Sequence, residues 1–174
     1  LANPEEIAKA LETEFKDAVL DSNVKNSKFP HVVVEVSRLN DICKFLLNDD
    51  HMAFDFLSAI AGVDKGDEFE VVYIIHSYLR NHSFAIKTRV PRSGPRVPSV
   101  CDLWAAANWH ERETYDLMGI IFEGHPDLRR ILLPQDWEGH PLRKDYKYPK
   151  SYDGIELRRD DDNWPDPGDK ELYE

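Results

Sequence analysis

His110-Glu111-Arg112-Glu113 sets an imidazole, two carboxylates and a guanidinium side by side, and Asp116 follows on the same presumed helix. Three kinds of chemistry use such a set. A zinc-protease helix needs a second His four residues after the first, and position 114 is Thr. A two-carboxylate hydrolase needs a facing pair, whereas Glu111 and Glu113 project roughly 200° apart on a helix. Glu113 and Asp116 stand at i, i+3, but Arg112 beside them favours ionisation of both and does not split their pKa values. The favoured reading is a salt-bridged helix at a protein interface. An independent hydrolase or lyase using Glu113, Asp116 and His110 is the alternative.

The other reactive side chains form no pattern. His31, His51, His76, His82, His125 and His140 make neither an HxH nor an HxxxH pair, and His125 and His140 each precede a proline. Cys43 and Cys101 are the two cysteines, too few and too far apart for a CxxC pair or a four-thiolate cluster, and they read as reduced core residues. Neither GxG nor GxxxxGK[ST] occurs, and no Ser or Cys sits in a nucleophile elbow. The formal net charge of −11 argues against nucleic acid as a partner. No apolar run approaches the ~18 residues of a membrane span. The residues thus predict a folded module with a docking tail and with no catalytic, cofactor-binding or metal site of its own.

The elements that would position the charged segment read as an α+β domain over residues 1–98. Asn3-Pro4-Glu5-Glu6 is a helix start, and Ile7, Leu11 and Phe15 continue one apolar face towards Val19. His31–Val36 is a β-branched strand, and Leu39, Ile42, Leu46 and Leu47 mark a second helix ending near Asn48. Strands are expected over Phe54–Gly62, Phe69–Tyr78 and Ser83–Val90, the last alternating Phe84, Ile86, Thr88 and Val90 against Ala85, Lys87 and Arg89. Arg80-Asn81-His82 is the expected hairpin turn. About four mostly antiparallel strands with helices on one face follow. Pro91–Pro98 reads as a basic loop.

Residues 99–120 are expected to carry two short helices continuous with that domain. Ser99-Val100-Cys101-Asp102 would open the first, and Asn108-Trp109-His110-Glu111, as a second capping box, would open the other, which Gly119 ends. From residue 121 onward the chain reads as an extended docking arm. Nine of the eleven prolines lie from Pro91 on, and their spacing from Pro126 to Pro149 leaves no room for a typical helix or a central strand. That stretch is nevertheless rich in Leu, Ile, Trp and Tyr, unlike a disordered tail. It should therefore lie against something else, with Trp137, Leu142, Tyr146 and Tyr148 as anchors. Arg129, Arg130, Arg143 and Lys144 should pair internally with Glu113 and Asp116 or reach partner carboxylates.

Trp109-His110-Glu111-Arg112-Glu113-Thr114-Tyr115-Asp116-Leu117-Met118-Gly119-Ile120 resembles the ERE signature helix of the C subunit of the proton-pumping NADH:quinone oxidoreductase, respiratory complex I. His125-Pro126-Asp127-Leu128-Arg129-Arg130-Ile131-Leu132-Leu133-Pro134 and Trp137-Glu138-Gly139-His140-Pro141-Leu142-Arg143-Lys144-Asp145-Tyr146 resemble the rest of that pattern. The resemblance implies a hydrophilic peripheral-arm subunit without flavin or iron–sulfur cluster. It would pack on the large quinone-site subunit and its cluster-bearing neighbours, which hold the flavin, clusters and quinone, and reach the membrane only through the complex. The implied location is the cytoplasmic face of the bacterial inner membrane, or the matrix or stroma side in an organelle. Counterparts in membrane-bound hydrogenases and in quinone reductases with other donors share the helix, and a separate, short C subunit favours the NADH type. Residues 1–70 match no motif of the family, and the acidic end from Asp160 to Glu174 extends past it.

Overall fold

The computed structural model describes residues 3–25 and 28–157. The acidic end singled out in the sequence lies outside them. Helix α1, Pro4–Glu14, begins as expected: the Asn3 side chain accepts the Glu5 amide, and the Glu6 carboxylate accepts the Asn3 amide at 3.1 Å. It stops short of Val19 because Phe15 leaves helical geometry at φ −122° and the chain turns into strand β1, Val19–Asn23. Strand β2, His31–Val34, then leads through a 3-10 turn at Val36–Arg38 into α2, Leu39–Asn48.

Strands β3 (Phe56–Asp64), β4 (Glu68–Ser77) and β5 (His82–Pro91) complete a sheet ordered β1-β2-β5-β4-β3. Neighbours run antiparallel except β2 and β5, which are parallel because α2 carries the chain from β2 to the far edge at β3 and two antiparallel turns bring β5 back beside β2. The expected fold class therefore stands, with five strands where four were foreseen. The β4–β5 turn falls at 78–81, a little before the expected position, and Asn81 takes the left-handed φ of +50° there.

One face of the sheet carries the core. Phe69, Val71, Tyr73 and Ile75 of β4 and Phe84, Ile86, Thr88 and Val90 of β5 are buried under Ile7 and Leu11 of α1 and Leu39, Ile42, Cys43 and Leu46 of α2. Each fully buried aliphatic side chain contributes about 1.5–3 kcal/mol. The same face extends over β3 to receive α3, Ala107–Met118. Gly62 allows that approach: a Cβ there would stand 3.1 Å from Met118 and from Thr114.

Two local expectations are corrected. Ser99–Asp102 opens no helix: Leu103 and Trp104 both return their amides to the Val100 carbonyl, and the segment closes as a turn. Helix α3 is not opened by a capping box at Asn108, because it begins at Ala107 after Ala106 with no side-chain cap. The basic loop contains a short strand, β6, Arg96–Pro98, parallel to β7, Ile121–Glu123, so the chain after Gly119 first returns to the domain. Residues 126–149 hold neither helix nor strand, as the prolines require. A two-residue hairpin, β8 (Ser151–Tyr152) and β9 (Ile155–Glu156), follows.

Candidate functional site

The charged helix is built inside out. Glu111, Arg112 and Asp116 of α3 are buried, while Trp109 and Glu113 face solvent. Glu111, expected to cap its own helix, instead caps the turn before it. Its carboxylate accepts the Val100 amide at 2.7 Å, the Ser99 hydroxyl at 2.6 Å and the Cys101 thiol at 3.4 Å. Burial pushes the Glu111 pKa up, against the opposing pull of those Ser99, Val100 and Cys101 hydrogen bonds. Burial likewise pushes the Cys101 thiol to about 11, so the sulfur keeps its proton and donates. Arg112 lies over the Trp109 ring at 5.0 Å and donates to the Arg129 carbonyl at 3.3 Å.

Asp116 organises the arm. One carboxylate oxygen accepts the consecutive amides of Ile131, Leu132 and Leu133 at 3.0, 2.7 and 3.0 Å, and the other accepts Arg130 at 2.9 Å. Burial alone would raise this carboxyl, but the Leu133, Leu132 and Ile131 amides and Arg130 outweigh it and hold the pKa below its ordinary value. Successive amides converging on one oxygen form an anion nest, filled here by the chain's own side chain.

The arm then caps α3. The last carbonyls of a helix have no intrahelical donor. Here the Asp116 carbonyl pairs with His140 Nδ1 at 2.9 Å, the Leu117 carbonyl accepts the Leu142 amide at 3.0 Å, and the Met118 carbonyl accepts Arg143 Nε at 2.7 Å. Gly119, at φ +71°, ends the helix in left-handed geometry and leaves the space that His140 and Arg143 fill. The Arg130 and Arg143 guanidiniums thus sit at the negative end of the helix dipole. Burial lowers the His140 pKa, and the nearby Arg143 and Arg130 lower it further.

A second clasp joins the arm to β3. Asp64 accepts Arg92 at 2.7 Å, the Gly66 amide at 2.8 Å and, through its other oxygen, the Lys144 amide at 2.9 Å. The Arg92 hydrogen bond is the largest cause holding the Asp64 carboxyl well below the carboxylate range. Arg92 also binds Asp145, and Arg92 and Arg143 both lie over the Phe69 ring, at 5.1 and 5.2 Å. Farther along, Trp137 donates to the Tyr146 hydroxyl at 2.9 Å and packs on Tyr152, while the Tyr146 ring covers Gly139. The amide of Trp137 returns to the Pro134 carbonyl, and Pro141 is half-buried between His140 and Leu142.

The internal pairing expected for the arm's cations is partly realised. Arg130 reaches Asp116, Arg143 takes helix carbonyls, Arg129 pairs with Asp127 at 2.8 Å, and Lys144 joins the clasp through its backbone. Glu113 is exposed and pairs with none of the described residues. The carboxylate pair of the hydrolase alternative is not assembled, since Asp116 is enclosed by donors and Glu113 points away. Sequence reading missed Asp64, Arg92 and Ser99. The available sequence signal was the basic, acid-free proline-rich loop that carries Arg92 and Arg96.

Cys101, Glu111 and His125 each bring a ligand atom within 4.8 Å of the others, a donor set that a zinc-type ion could use. Each is already engaged. His125 Nε2 meets the Asn108 carbonyl, its Nδ1 accepts the Asp127 amide, and the Glu111 oxygens cap the 99–101 turn. Pro126 follows His125, exposed, in the turn after β7. No helix among the described residues is long and apolar enough to cross a membrane.

Fold and site together define an α+β domain whose C-terminal arm is strapped onto the end of a charged helix, with Arg112 and Asp116 of that helix committed to holding the strap and Glu111 to the turn before it. Residues 32–152 match the family model described as the 30 Kd subunit of respiratory-chain NADH dehydrogenase, and the chain belongs to that family. The NADH-quinone oxidoreductase C subunit of Chloroherpeton thalassium is 43% identical over 138 residues, covering 77% of this chain and 57% of that protein. Its counterpart in Roseiflexus castenholzii is 44% identical, with 79% of each chain covered. The F(420)H(2) dehydrogenase C subunit of Methanosarcina mazei is 37% identical, covering 75% of this chain and 82% of that one. Among solved structures, a chain of an archaeal respiratory membrane complex, the membrane-bound sulfane sulfur reductase, superposes with a TM-score of 0.70 at 26% identity, covering 84% of this chain and 86% of that chain.

Proposed function

We propose that this chain is a structural subunit, without a redox group of its own, in the peripheral arm of an NADH:quinone oxidoreductase that couples electron transfer to proton translocation. It helps to assemble and position the quinone-site and iron–sulfur subunits, and it reaches the membrane only through them, on the cytoplasmic face or its organellar equivalent. One observation carries this reading. The buried charges of the signature helix, Glu111, Arg112 and Asp116, are bonded to this chain's own backbone or stacked on its own ring. What remains outward is a docking set, with Trp109 63%, Leu132 59% and Leu142 59% exposed beside the unpaired Glu113. Such anchors dominate interfaces when a partner desolvates them.

The specific observation favouring a second reading is the breadth of the relatives, which include a subunit of an enzyme named for F(420)H(2). The same docking set would then serve a complex with another donor. Native purification through a C-terminal tag, with mass spectrometry of co-purifying chains and an NADH:quinone activity assay, decides the matter. Flavin and iron–sulfur subunits with NADH oxidation are expected. A related set without NADH activity moves the chain to the other-donor branch, and a clean monomer sinks both readings.

A further inference from the structure

Antiparallel sheets with one covered face ordinarily turn polar side chains to water on the other. This one does not. On the face of the sheet opposite α1, α2 and α3, the register brings Ala59 and Ala61 of β3 beside Ile74 and Val72 of β4, with Ala85 of β5 next to Ile74. Phe56 extends this floor, stacking against Tyr78 at 5.2 Å, and both rings are exposed, as is Ile74 at 40%. His76 and Ser83, bonded to each other at 2.8 Å, lie beside the Phe56–Tyr78 end, and the charged residues stand at the far end. There Lys65, Lys87 and Arg89 surround the buried Glu70 at 3.9, 3.3 and 3.7 Å, with Glu68 beside Arg89. Three cations meet two carboxylates, leaving positive charge over at this end in a chain whose net charge is −11.

We propose that this helix-free face is a second docking surface, occupied in the assembled complex by an amphipathic helix of a neighbouring subunit that sets an acidic side chain against Lys65 and Arg89. The inference rests on the subunit reading above. Area chooses the occupant. Three strands about 4.8 Å apart and about 30 Å long offer about 450 Å². A stable pair of independent proteins needs about 800 Å² from each side, so the face is too small to sustain a homodimer. It is sufficient for one helix held elsewhere in the same assembly. The small floor side chains let that helix approach closely, the Phe56–Tyr78 ring pair stops it at one end, and the surplus charge sets its polarity.

The test uses the intact complex, with the photo-crosslinker p-benzoylphenylalanine placed at position 61 and, separately, at position 109. The expected result is an adduct from position 61 to an acidic, amphipathic helical segment of another subunit. That adduct should fall at least fivefold when Lys65→Gln and Arg89→Gln are combined. An adduct to a second copy of this chain overturns the proposal, as does an adduct indifferent to the two charges. An adduct from position 109 with none from position 61 overturns it while leaving the subunit reading intact. A chain that forms neither adduct and runs as a monomer overturns both.

Discussion

Asp116 and Arg130 form a buried ion pair at 2.9 Å, with side-chain exposures of 0% and 13%, and the same carboxylate accepts three successive amides of the arm. Arg130 also donates to the Gly139 carbonyl at 3.1 Å, so one pair ties the helix to two points of the strap. A buried pair of this kind fixes geometry more dependably than it adds net stability, yet losing one partner is expensive.

Asp116→Ala is therefore expected to strand the Arg130 guanidinium and three amides and to destabilise the strapped state by about 3 kcal/mol. The sheet and helices α1 and α2 have their own core and should stay folded. Limited trypsinolysis reads this directly: cleavage after Arg130 should accelerate by more than tenfold while circular dichroism keeps the signal of the domain. Unchanged cleavage would mean that the nest is incidental.

Gly119→Ala tests the other half of the strap. A Cβ at this left-handed position would overlap the Arg143 guanidinium and the His140 ring, and the backbone itself disfavours any L side chain there. The cost should be about 2 kcal/mol or more, concentrated in the arm. Amide exchange of Leu142, whose N–H bonds the Leu117 carbonyl, should lose protection relative to β4 and β5. Equal loss throughout the sheet would show that the arm and the domain unfold as one unit.

Opposite pKa shifts give opposite pH signatures. Asp64 and Asp116 have lowered folded pKa values, so their stabilisation is complete above the ordinary carboxylate range and is lost as pH falls through the folded values. Glu111 has a raised one, so its contribution is complete below its unfolded pKa and is lost as pH rises through the folded value. Glu111→Gln removes that loss and keeps an acceptor for the Val100 amide. Urea midpoints at pH 4, 6 and 8 should show the variant gaining on the unsubstituted chain as pH rises. A constant or falling difference would contradict the buried-carboxyl account.

The parts of this structure that local pattern controls were legible. Alternation from Phe84 to Val90 marked β5 and its buried face, Asn3 to Glu6 marked the start of α1, and the prolines marked the arm as neither helix nor strand. What escaped was long-range pairing. Strand β1 is exposed along most of its length and carries Asp21, Ser22 and Asn23, so its sequence does not alternate; it exists because β2 pairs with it. Strands β6 and β7 are three residues each and hold only each other. Glu111 shows the same competition within the site, where a local capping-box pattern yielded to a turn eleven positions upstream. Asp64 meets the Lys144 amide 80 positions away, a separation no motif spans.

Trp109 and Glu113 separate docking from folding. Trp109 is exposed, and its stacking contact with Arg112 is worth about 0.5–1 kcal/mol at a surface. Trp109→Ala should therefore leave the isolated chain's stability within about 1 kcal/mol, and Glu113→Ala, which removes no bond to any described residue, should leave it unchanged within about 0.5 kcal/mol. Both should lower the yield of assembled complex, with turnover per assembled complex preserved. Arg143→Ala differs, because Arg143 caps the Met118 carbonyl and should loosen the strap in the free chain as well as weaken assembly. Quantitative mass spectrometry of the purified complexes, set against their NADH oxidation, distinguishes these cases. Normal assembly of the Glu113→Ala complex with turnover lost would return Glu113 to a role in the reaction and set aside the docking account of this helix.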